Sequence, residues 1–173
     1  NFHFTYELDT TFIYKRGSGQ VFTFTGDDDV FVFVDGKCVI DIGGGSSHLV
    51  DHLVQRGYRK VSVLDMSPAA LDRARTRLGA HAAAVNWIAA DITAWTPADR
   101  YEVWHDRATF HFMVTEADRS AYLARLRQAL VPGGRAIIAT FDLDGPEKCS
   151  GLPVMRYDAE SLAVTLGPQF TLV

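Results

Sequence analysis

A glycine turn that directly follows a short apolar stretch is the feature that most constrains this chain. The apolar residues 39 and 40 lead into Asp41-Ile42-Gly43-Gly44-Gly45. A dinucleotide-binding turn reads G-x-G-x-x-G, and its glycines let the backbone approach phosphates at a helix N-terminus. Here His48 stands at the third glycine position, and a carboxylate stands two residues before the first glycine. The turn therefore suits a cationic ligand better than a pyrophosphate.

Three more aspartates end apolar stretches of strand length. Asp65 follows residues 61–64, Asp91 follows residues 87–90, and Asp106 follows residues 103–105. In an open α/β sheet, ligands bind outside the carboxyl ends of the strands. We therefore expect these carboxylates and Asp41 to converge on one crevice, which would attract cations and repel phosphates.

Short apolar strands alternate with amphipathic helices from residue 38 onwards, a pattern that predicts βαβ units and a parallel sheet. Ser46 or Ser47 can cap the first helix, and Ser67-Pro68 opens the second. Further along, the pattern predicts a helix over 117–130, a central and fully buried strand over 135–141, a helix over 158–166 and the start of a sixth strand at 170–173. The predicted fold class is α/β, with a doubly wound, mostly parallel sheet.

Residues 1–37 show a different periodicity. Aromatic and β-branched residues alternate there with Thr or Val, and the breaks fall at Gly17-Ser18-Gly19 and Gly26-Asp27-Asp28-Asp29. This pattern is typical of strands joined by turns. We therefore predict two domains: an antiparallel β-meander over residues 1–37 and an α/β domain over residues 38–173.

The α/β part resembles the class I S-adenosylmethionine-dependent methyltransferases. Residues 39–45 look like the first motif of that family, Asp65 like its acidic residue after the second strand, residues 90–92 like its adenine-side motif, and Pro132-Gly133-Gly134 like the turn before its fifth strand. The resemblance implies a Rossmann-like fold, S-adenosylmethionine as cofactor, and methyl transfer to a small-molecule or protein nucleophile. The last strand of that family's sheet has no counterpart in this sequence, which makes activity the first property to test.

The resemblance also implies which residues form the site. It assigns the methionine end of the cofactor to Asp41, Gly43, Gly44 and Gly45, the ribose to Asp65, the adenine to Asp91 with Met66 and Ile92, and the methyl-donor pocket to His105 and Asp106. His111 is the candidate catalytic residue, because histidine titrates near neutral pH and can act as a general base. Two phenylalanines flank His111, so a packed histidine is the alternative.

The N-terminal part resembles the fibro-slime and PA14-like β-modules of surface and adhesion proteins, on residues 24–33. Asp27, Asp28 and Asp29 would offer the oxygen ligands that calcium prefers. The chain thus looks like a fusion, and the second hypothesis is a calcium-dependent carbohydrate-binding or surface β-module with an inactive α/β passenger. A nicotinamide-dependent oxidoreductase is a third hypothesis, which His48 and the acidic crevice oppose.

Charge, hydropathy and cysteine content indicate which kinds of partner the protein binds. The formal net charge of -4 argues against a general nucleic-acid binder, and no apolar stretch approaches the roughly 20 residues that span a bilayer. Cys38 and Cys149 have neither the number nor the spacing of a zinc site or a disulfide framework. We therefore expect reduced thiols in a cytoplasmic protein without a metal. We also expect a small-molecule substrate, no nucleic-acid or membrane partner, and self-association through exposed strand edges.

Overall fold

A parallel sheet of five strands forms the centre of the computed structural model, which describes residues 37–172. In chain order the strands are β1 (Val39–Ile42), β2 (Val61–Asp65), β3 (Val85–Ala89), β4 (Tyr101–Arg107) and β5 (Leu130–Ala139). Their spatial order is β3-β2-β1-β4-β5, and every neighbouring pair is parallel. The strand order reverses between β1 and β4, and such a switch point is where open α/β sheets bind ligands. The predicted fold class is confirmed.

Helices pack on both faces of this sheet. Within the described residues they are α1 (Leu49–Gln55), α2 (Pro68–Leu78), α3 (Glu116–Ala129) and α4 (Ala159–Leu166). The predicted start of α2 is confirmed, because the Ser67 hydroxyl accepts a hydrogen bond from Ala70 N at 3.2 Å. Ahead of α1, Ser47 Oγ accepts a hydrogen bond from Leu49 N at 3.1 Å. Ser47, and not Ser46, therefore shapes the start of the first helix.

Two apolar layers hold the helices to the sheet. One layer, shared with α3 and α4, is built around Ile40, Trp104 and Tyr122. The other layer, shared with α1 and α2, is built around Val63 and Leu71. Successive side chains of a strand point to opposite faces, so adjacent residues of one strand belong to different layers. This alternation decides which polar side chains of β4 lie beside those of β1.

The structure corrects two predictions at the C-terminal part of the sheet. β5 is an edge strand of the described sheet and not the central strand predicted over 135–141. Within β5, Leu130 is buried and the other residues are half-buried or exposed. Residues 170–172 form no strand, so the predicted sixth strand is wrong for these residues. A local pattern indicates that a strand forms, whereas its burial depends on which strand lies beside it.

A short antiparallel hairpin, β6 (Lys148–Cys149) and β7 (Leu152–Pro153), lies between β5 and α4. The predicted β-meander, with its Asp27-Asp28-Asp29 turn, lies outside the described residues. Within residues 37–172, no helix has the length and apolar character needed to cross a bilayer. Among the same residues, no group of three or more His, Cys, Asp or Glu side chains is placed to hold a metal ion.

Candidate functional site

The glycine turn after β1 contacts the loop that follows β4. Gly43 adopts the left-handed conformation, with φ 70° and ψ 21°, and a Cβ at this position would overlap the Thr109 hydroxyl. That hydroxyl donates a hydrogen bond to Ile42 O at 3.2 Å. The preceding Ala108 also has a positive φ of 68°, which is uncommon for a residue with a Cβ. Sequence reasoning did not select Thr109; its position two residues after the predicted strand exit was the available signal.

Asp41 and His105 form a buried pair next to the turn. They occupy paired positions of β1 and β4, and His105 Nδ1 lies 2.7 Å from Asp41 Oδ1. The two residues are 2% and 3% exposed. Asp41 Oδ2 is buried without a hydrogen-bond partner, and a Cβ at Gly44 would overlap it. The structure thus brings together Asp41, His105 and the glycine turn, with one carboxylate oxygen unused.

Asp65 connects the glycine turn to the start of α2. Its Oδ2 accepts a hydrogen bond from Gly45 N at 3.0 Å, and its Oδ1 accepts one from Ser67 N at 2.7 Å. An ionised carboxylate has about four lone-pair sites, so Asp65 keeps acceptor capacity for a ligand. The side chain is half-buried at the end of β2, beside the turn that it helps to hold.

The predicted adenine contacts lie in different environments. Asp91 is exposed, and its Oδ1 accepts hydrogen bonds from the amide and the hydroxyl of Thr93 at 2.8 and 2.7 Å. Met66 is 76% exposed, whereas Ile92 is 5% exposed and packs in the layer around Trp104. Met66 is therefore accessible to a ligand, while most of the Ile92 surface is used in core packing.

Asp106 is fully buried on the opposite face of β4 from His105. Its Oδ1 accepts a hydrogen bond from Thr109 N at 2.8 Å, and its Oδ2 accepts one from Tyr122 OH at 2.6 Å. Burial raises the pKa of Asp106 to about 6, although these hydrogen bonds favour the ionised form. The predicted place of Asp106 in the methyl-donor pocket is therefore corrected. Strand alternation directs this side chain to α3, where it anchors the loop that carries Thr109.

His111 is enclosed by aromatic rings. Its ring centroid lies 4.4 Å from that of Phe112 and 5.1 Å from that of Phe141. The residue is 0% exposed, and neither ring nitrogen has a hydrogen-bond partner. Burial lowers the pKa of His111, which favours the neutral imidazole. This environment matches the packed alternative, and it leaves both nitrogens unused.

Arg77 links α2 to α1 by hydrogen bonds beside the glycine turn. Its Nε and Nη2 donate hydrogen bonds to the Asp51 carboxylate at 2.9 and 2.7 Å, and Nη2 also donates to Ser47 O at 2.8 Å. The hydrogen bond to Asp51 raises the pKa of Arg77. Sequence reasoning missed this contact. The available signal was a basic residue in the last turn of α2 and an acidic residue in the first turn of α1.

A cavity of about 750 Å³ lies against β5 and α4. Its apolar lining includes Leu130, Ile138, Leu162, Leu166 and Phe170. None of the aspartates at the ends of β1, β2 and β3 lines it. The cavity is therefore separate from the crevice, and it adjoins the edge of β5 that has no partner strand within residues 37–172.

The chain matches one family of known proteins over most of the described sheet. The family described as "Methyltransferase domain" matches residues 39–134, more than half of the chain. This range begins with β1 and contains Asp41, the glycine turn, Asp65 and Asp91. The motifs that predicted the family thus lie inside the matched range.

Among curated proteins, the proteins psiE and psiB of Dictyostelium discoideum are each 52% identical to this chain over 44 residues. That match covers 25% of this chain and 8% of each relative. The chain thus corresponds to less than a tenth of the length of these relatives, and so short a match assigns no family.

Solved methyltransferase structures share the fold. The 1,6-didemethyltoxoflavin-N1-methyltransferase of Burkholderia thailandensis has a TM-score of 0.60 and 24% identity, over 75% of this chain and 58% of that chain. The glycopeptide N-methyltransferase MtfA, complexed with S-adenosyl-L-methionine, has a TM-score of 0.53 and 23% identity, over 61% of this chain and 48% of that chain. This chain spans about half the length of these structures. The chain belongs to the methyltransferase domain family, as its sequence motifs predicted.

Proposed function

We propose that the chain binds S-adenosylmethionine at the carboxyl ends of β1, β2 and β3, and that it transfers the methyl group to a nucleophile of a small molecule. The observation that carries this proposal is the unused carboxylate oxygen of Asp41. Asp41 Oδ2 is buried against Gly44 without a partner. An unsatisfied buried carboxylate oxygen is costly. A cationic ligand that donates hydrogen bonds would remove that cost.

The residues of the crevice fit this cofactor. Its amino-acid end carries an ammonium group, which the Asp41 carboxylate would accept next to the exposed Gly43. Asp65, with acceptor capacity left beside the turn, would take the ribose hydroxyls. Asp91 and Met66, both exposed, would take the amino group and one face of the adenine. In this proposal Gly44 and Gly45 allow both carboxylates to lie against the backbone, and Ile92 supports the adenine side from the core.

Bound S-adenosylmethionine supplies an electrophilic methyl group on a sulfonium. The residues of the chain need only bind and orient that group and the acceptor, because transfer of this kind depends mainly on proximity and orientation. Asp41 and Asp65 are held on strand ends by His105 and by the amides of Gly45 and Ser67. Groups fixed in this way lose little freedom when the ligand binds.

A catalytic role for His111 stays a prediction. The neutral ring that burial favours has a lone pair for a proton, but His111 is 0% exposed, so an acceptor reaches it only if neighbouring side chains move. Replacement of His111 by Gln tests the role once an acceptor has been found. A general base predicts a lower kcat with an unchanged Kd for the cofactor, and an unchanged kcat would exclude that role.

A small-molecule acceptor is supported by the solved structures with this fold. Their names include a glycopeptide N-methyltransferase and a 1,6-didemethyltoxoflavin-N1-methyltransferase. A protein nucleophile is the alternative. A screen of both kinds of acceptor with methyl-labelled cofactor separates them, since label in protein and label in small molecules are recovered in different fractions.

Calorimetric titration of S-adenosylmethionine into the purified chain tests the proposal. We expect saturable binding that Asp65→Asn weakens on the order of tenfold, because the amide accepts at one atom only. The matched control is Asp72→Asn, an exposed aspartate on α2 that pairs with Arg75; it should leave the Kd unchanged. A nicotinamide dinucleotide should not compete. A folded chain that binds no S-adenosylmethionine contradicts the proposal, and preferred dinucleotide binding would favour the oxidoreductase.

The remaining expectations from the sequence stay predictions. A calcium-dependent β-module depends on Asp27, Asp28 and Asp29, which lie outside the described residues. The fusion and the cytoplasmic location likewise stay predictions. Self-association has a structural candidate, namely the edge of β5 that lacks a partner strand in the described part of the chain, with its adjoining cavity. We propose that a second copy of the chain associates there.

A further inference from the structure

His105 is linked to the crevice by its contact with Asp41. The two residues are register partners on neighbouring parallel strands, so their side chains project from the same face of the sheet. His105 Nδ1 and Asp41 Oδ1 are 2.7 Å apart, and both residues are almost fully buried. For an ionised carboxylate, this contact is a hydrogen bond only if Nδ1 carries the hydrogen. Asp41 Oδ1 is therefore the acceptor of a hydrogen bond from His105.

The other oxygen of Asp41 is left for a ligand. Oδ2 is buried without a partner, and a Cβ added at Gly44 would overlap it. A carboxylate held at one oxygen cannot turn freely about its Cβ–Cγ bond, so the contact with His105 decides where Oδ2 points. A different donor at Nδ1 would keep that direction, whereas loss of the donor would release it.

We infer that His105 is a positioning residue for the amino-acid end of the cofactor. By donating its Nδ1 hydrogen to Asp41 Oδ1, it holds Oδ2 against the glycine turn, ready to accept a hydrogen bond from the ligand's ammonium group. This inference rests on the proposed function. It revises the expected role of His105, which acts through Asp41 and does not itself line the methyl-donor pocket.

Two substitutions separate this role from simple packing. His105→Asn places an amide NH₂ close to the position of Nδ1 and retains the donor, whereas His105→Gln places it close to Nε2 and loses the contact with Asp41. The probes are S-adenosylhomocysteine and methylthioadenosine. Both contain the adenine, the ribose and a thioether, but the second lacks the amino-acid end.

We expect His105→Gln to weaken S-adenosylhomocysteine binding on the order of tenfold, the effect of one lost hydrogen bond to a charged group. His105→Asn should restore most of that affinity. The Kd for methylthioadenosine should be the same in all three proteins. In an Asp41→Ala background, His105→Gln should cause no further loss, because the residue acts through Asp41.

Ser62→Ala is the matched control for fold stability. Ser62 is a buried polar residue of β2 whose hydroxyl accepts a hydrogen bond from Tyr101 OH at 3.1 Å. This control should lower the unfolding temperature and leave both dissociation constants unchanged. If His105→Gln does not fold, His105→Phe keeps a ring without the Nδ1 donor and takes its place with the same expected results.

The outcomes distinguish this inference from the proposed function. Equal weakening of both probes, or no weakening of S-adenosylhomocysteine by His105→Gln, overturns the positioning role while cofactor binding by the wild-type chain stands. No binding of either probe by a folded wild-type chain overturns both.

Discussion

Burial of a single side chain, Asp106, makes the stability of this chain depend on pH. The folded-state pKa is raised from 3.8 to about 6, mainly by burial. Between these two values the folded chain binds more protons than the unfolded chain, so the free energy of unfolding falls as the pH rises through this window. Above about pH 6 the group is ionised in both states, and its contribution no longer changes. The expected size of the loss is a few kcal/mol.

Replacement of Asp106 by Asn tests this pH dependence. The amide is neutral at every pH, and its oxygen can still accept hydrogen bonds from the amides of Thr109 and Phe110. Urea unfolding between about pH 4 and pH 7 should show a flatter slope for the variant than for the wild type. The difference between the two curves isolates Asp106 from the other titrating groups. Parallel curves would show that Asp106 keeps an ordinary pKa in the folded chain.

Gly44 is the residue whose replacement most directly tests the geometry of the crevice. In Gly44→Ala, the new Cβ would overlap Asp41 Oδ2 and force the carboxylate out of the turn. We expect cofactor binding to weaken more than tenfold and the free energy of unfolding to fall by about 1–3 kcal/mol, as for other overpacked sites. Calorimetry and urea unfolding measure the two effects.

Gly57→Ala is the control for that experiment. Gly57 has φ 85° and no atoms within 4 Å of an added Cβ, so alanine there brings backbone strain of about 1 kcal/mol without a clash. Its cofactor affinity should match that of the wild type. If both variants lost affinity equally, general destabilisation and not the Asp41 carboxylate would explain the result at Gly44.

Among the elements, the contact between α1 and α2 depends on Arg77. The guanidinium binds Asp51 with two nitrogens and Ser47 O with one of them. Lysine cannot reproduce this fork, so Arg77→Lys should cost about 1 kcal/mol and weaken cofactor binding slightly, since Ser47 follows the glycine turn. Arg73→Lys is the control, because Arg73 is an exposed residue of the same helix. Equal unfolding free energies of the two variants would contradict a structural role for Arg77.

Element ends could be predicted from sequence where local chemistry determines them. Ser67 before α2, Asp65 at the end of β2 and Asp91 after β3 are signals read within a few residues. Contacts between distant segments could not be read in this way. The pair of Asp41 with His105 requires β1 to lie beside β4, and the contact of Thr109 with Gly43 requires the same neighbour.

Asp106 shows a further limit of pattern reading. Its position near the end of β4 suggested a place in the crevice, but a one-residue step along the strand reverses the face. His105 therefore contacts Asp41, and Asp106 contacts Tyr122. The burial of β5 was mispredicted for a related reason, because apolar residues alone do not indicate whether a strand is central or at an edge.

At the scale of the whole molecule, the sheet order gives the chain two distinct surfaces. The switch between β1 and β4 places the glycine turn and the Asp41 pair at one end of the strands. β5 leaves an edge without a partner strand among the described residues, beside the cavity against α4. Unpaired strand edges promote association. Because the two surfaces consist of different residues, a substitution on one should change either cofactor binding or the association of chains, and not both.

Leu172→Lys tests association through the β5 edge. Leu172 is 66% exposed and lines the cavity beside β5, so lysine there adds a charge that a second copy must bury, at little cost to the fold. Leu152→Lys is the control, since Leu152 is 58% exposed but does not line the cavity.

Sedimentation velocity of the wild type and Leu152→Lys should show an average mass that rises with concentration. Leu172→Lys should shift that rise to concentrations on the order of tenfold higher, with cofactor affinity unchanged. If the average mass of the wild type stays that of one chain at all concentrations, association is refuted. If the average mass of Leu172→Lys rises with concentration just as that of Leu152→Lys does, the chains associate through a surface other than the β5 edge.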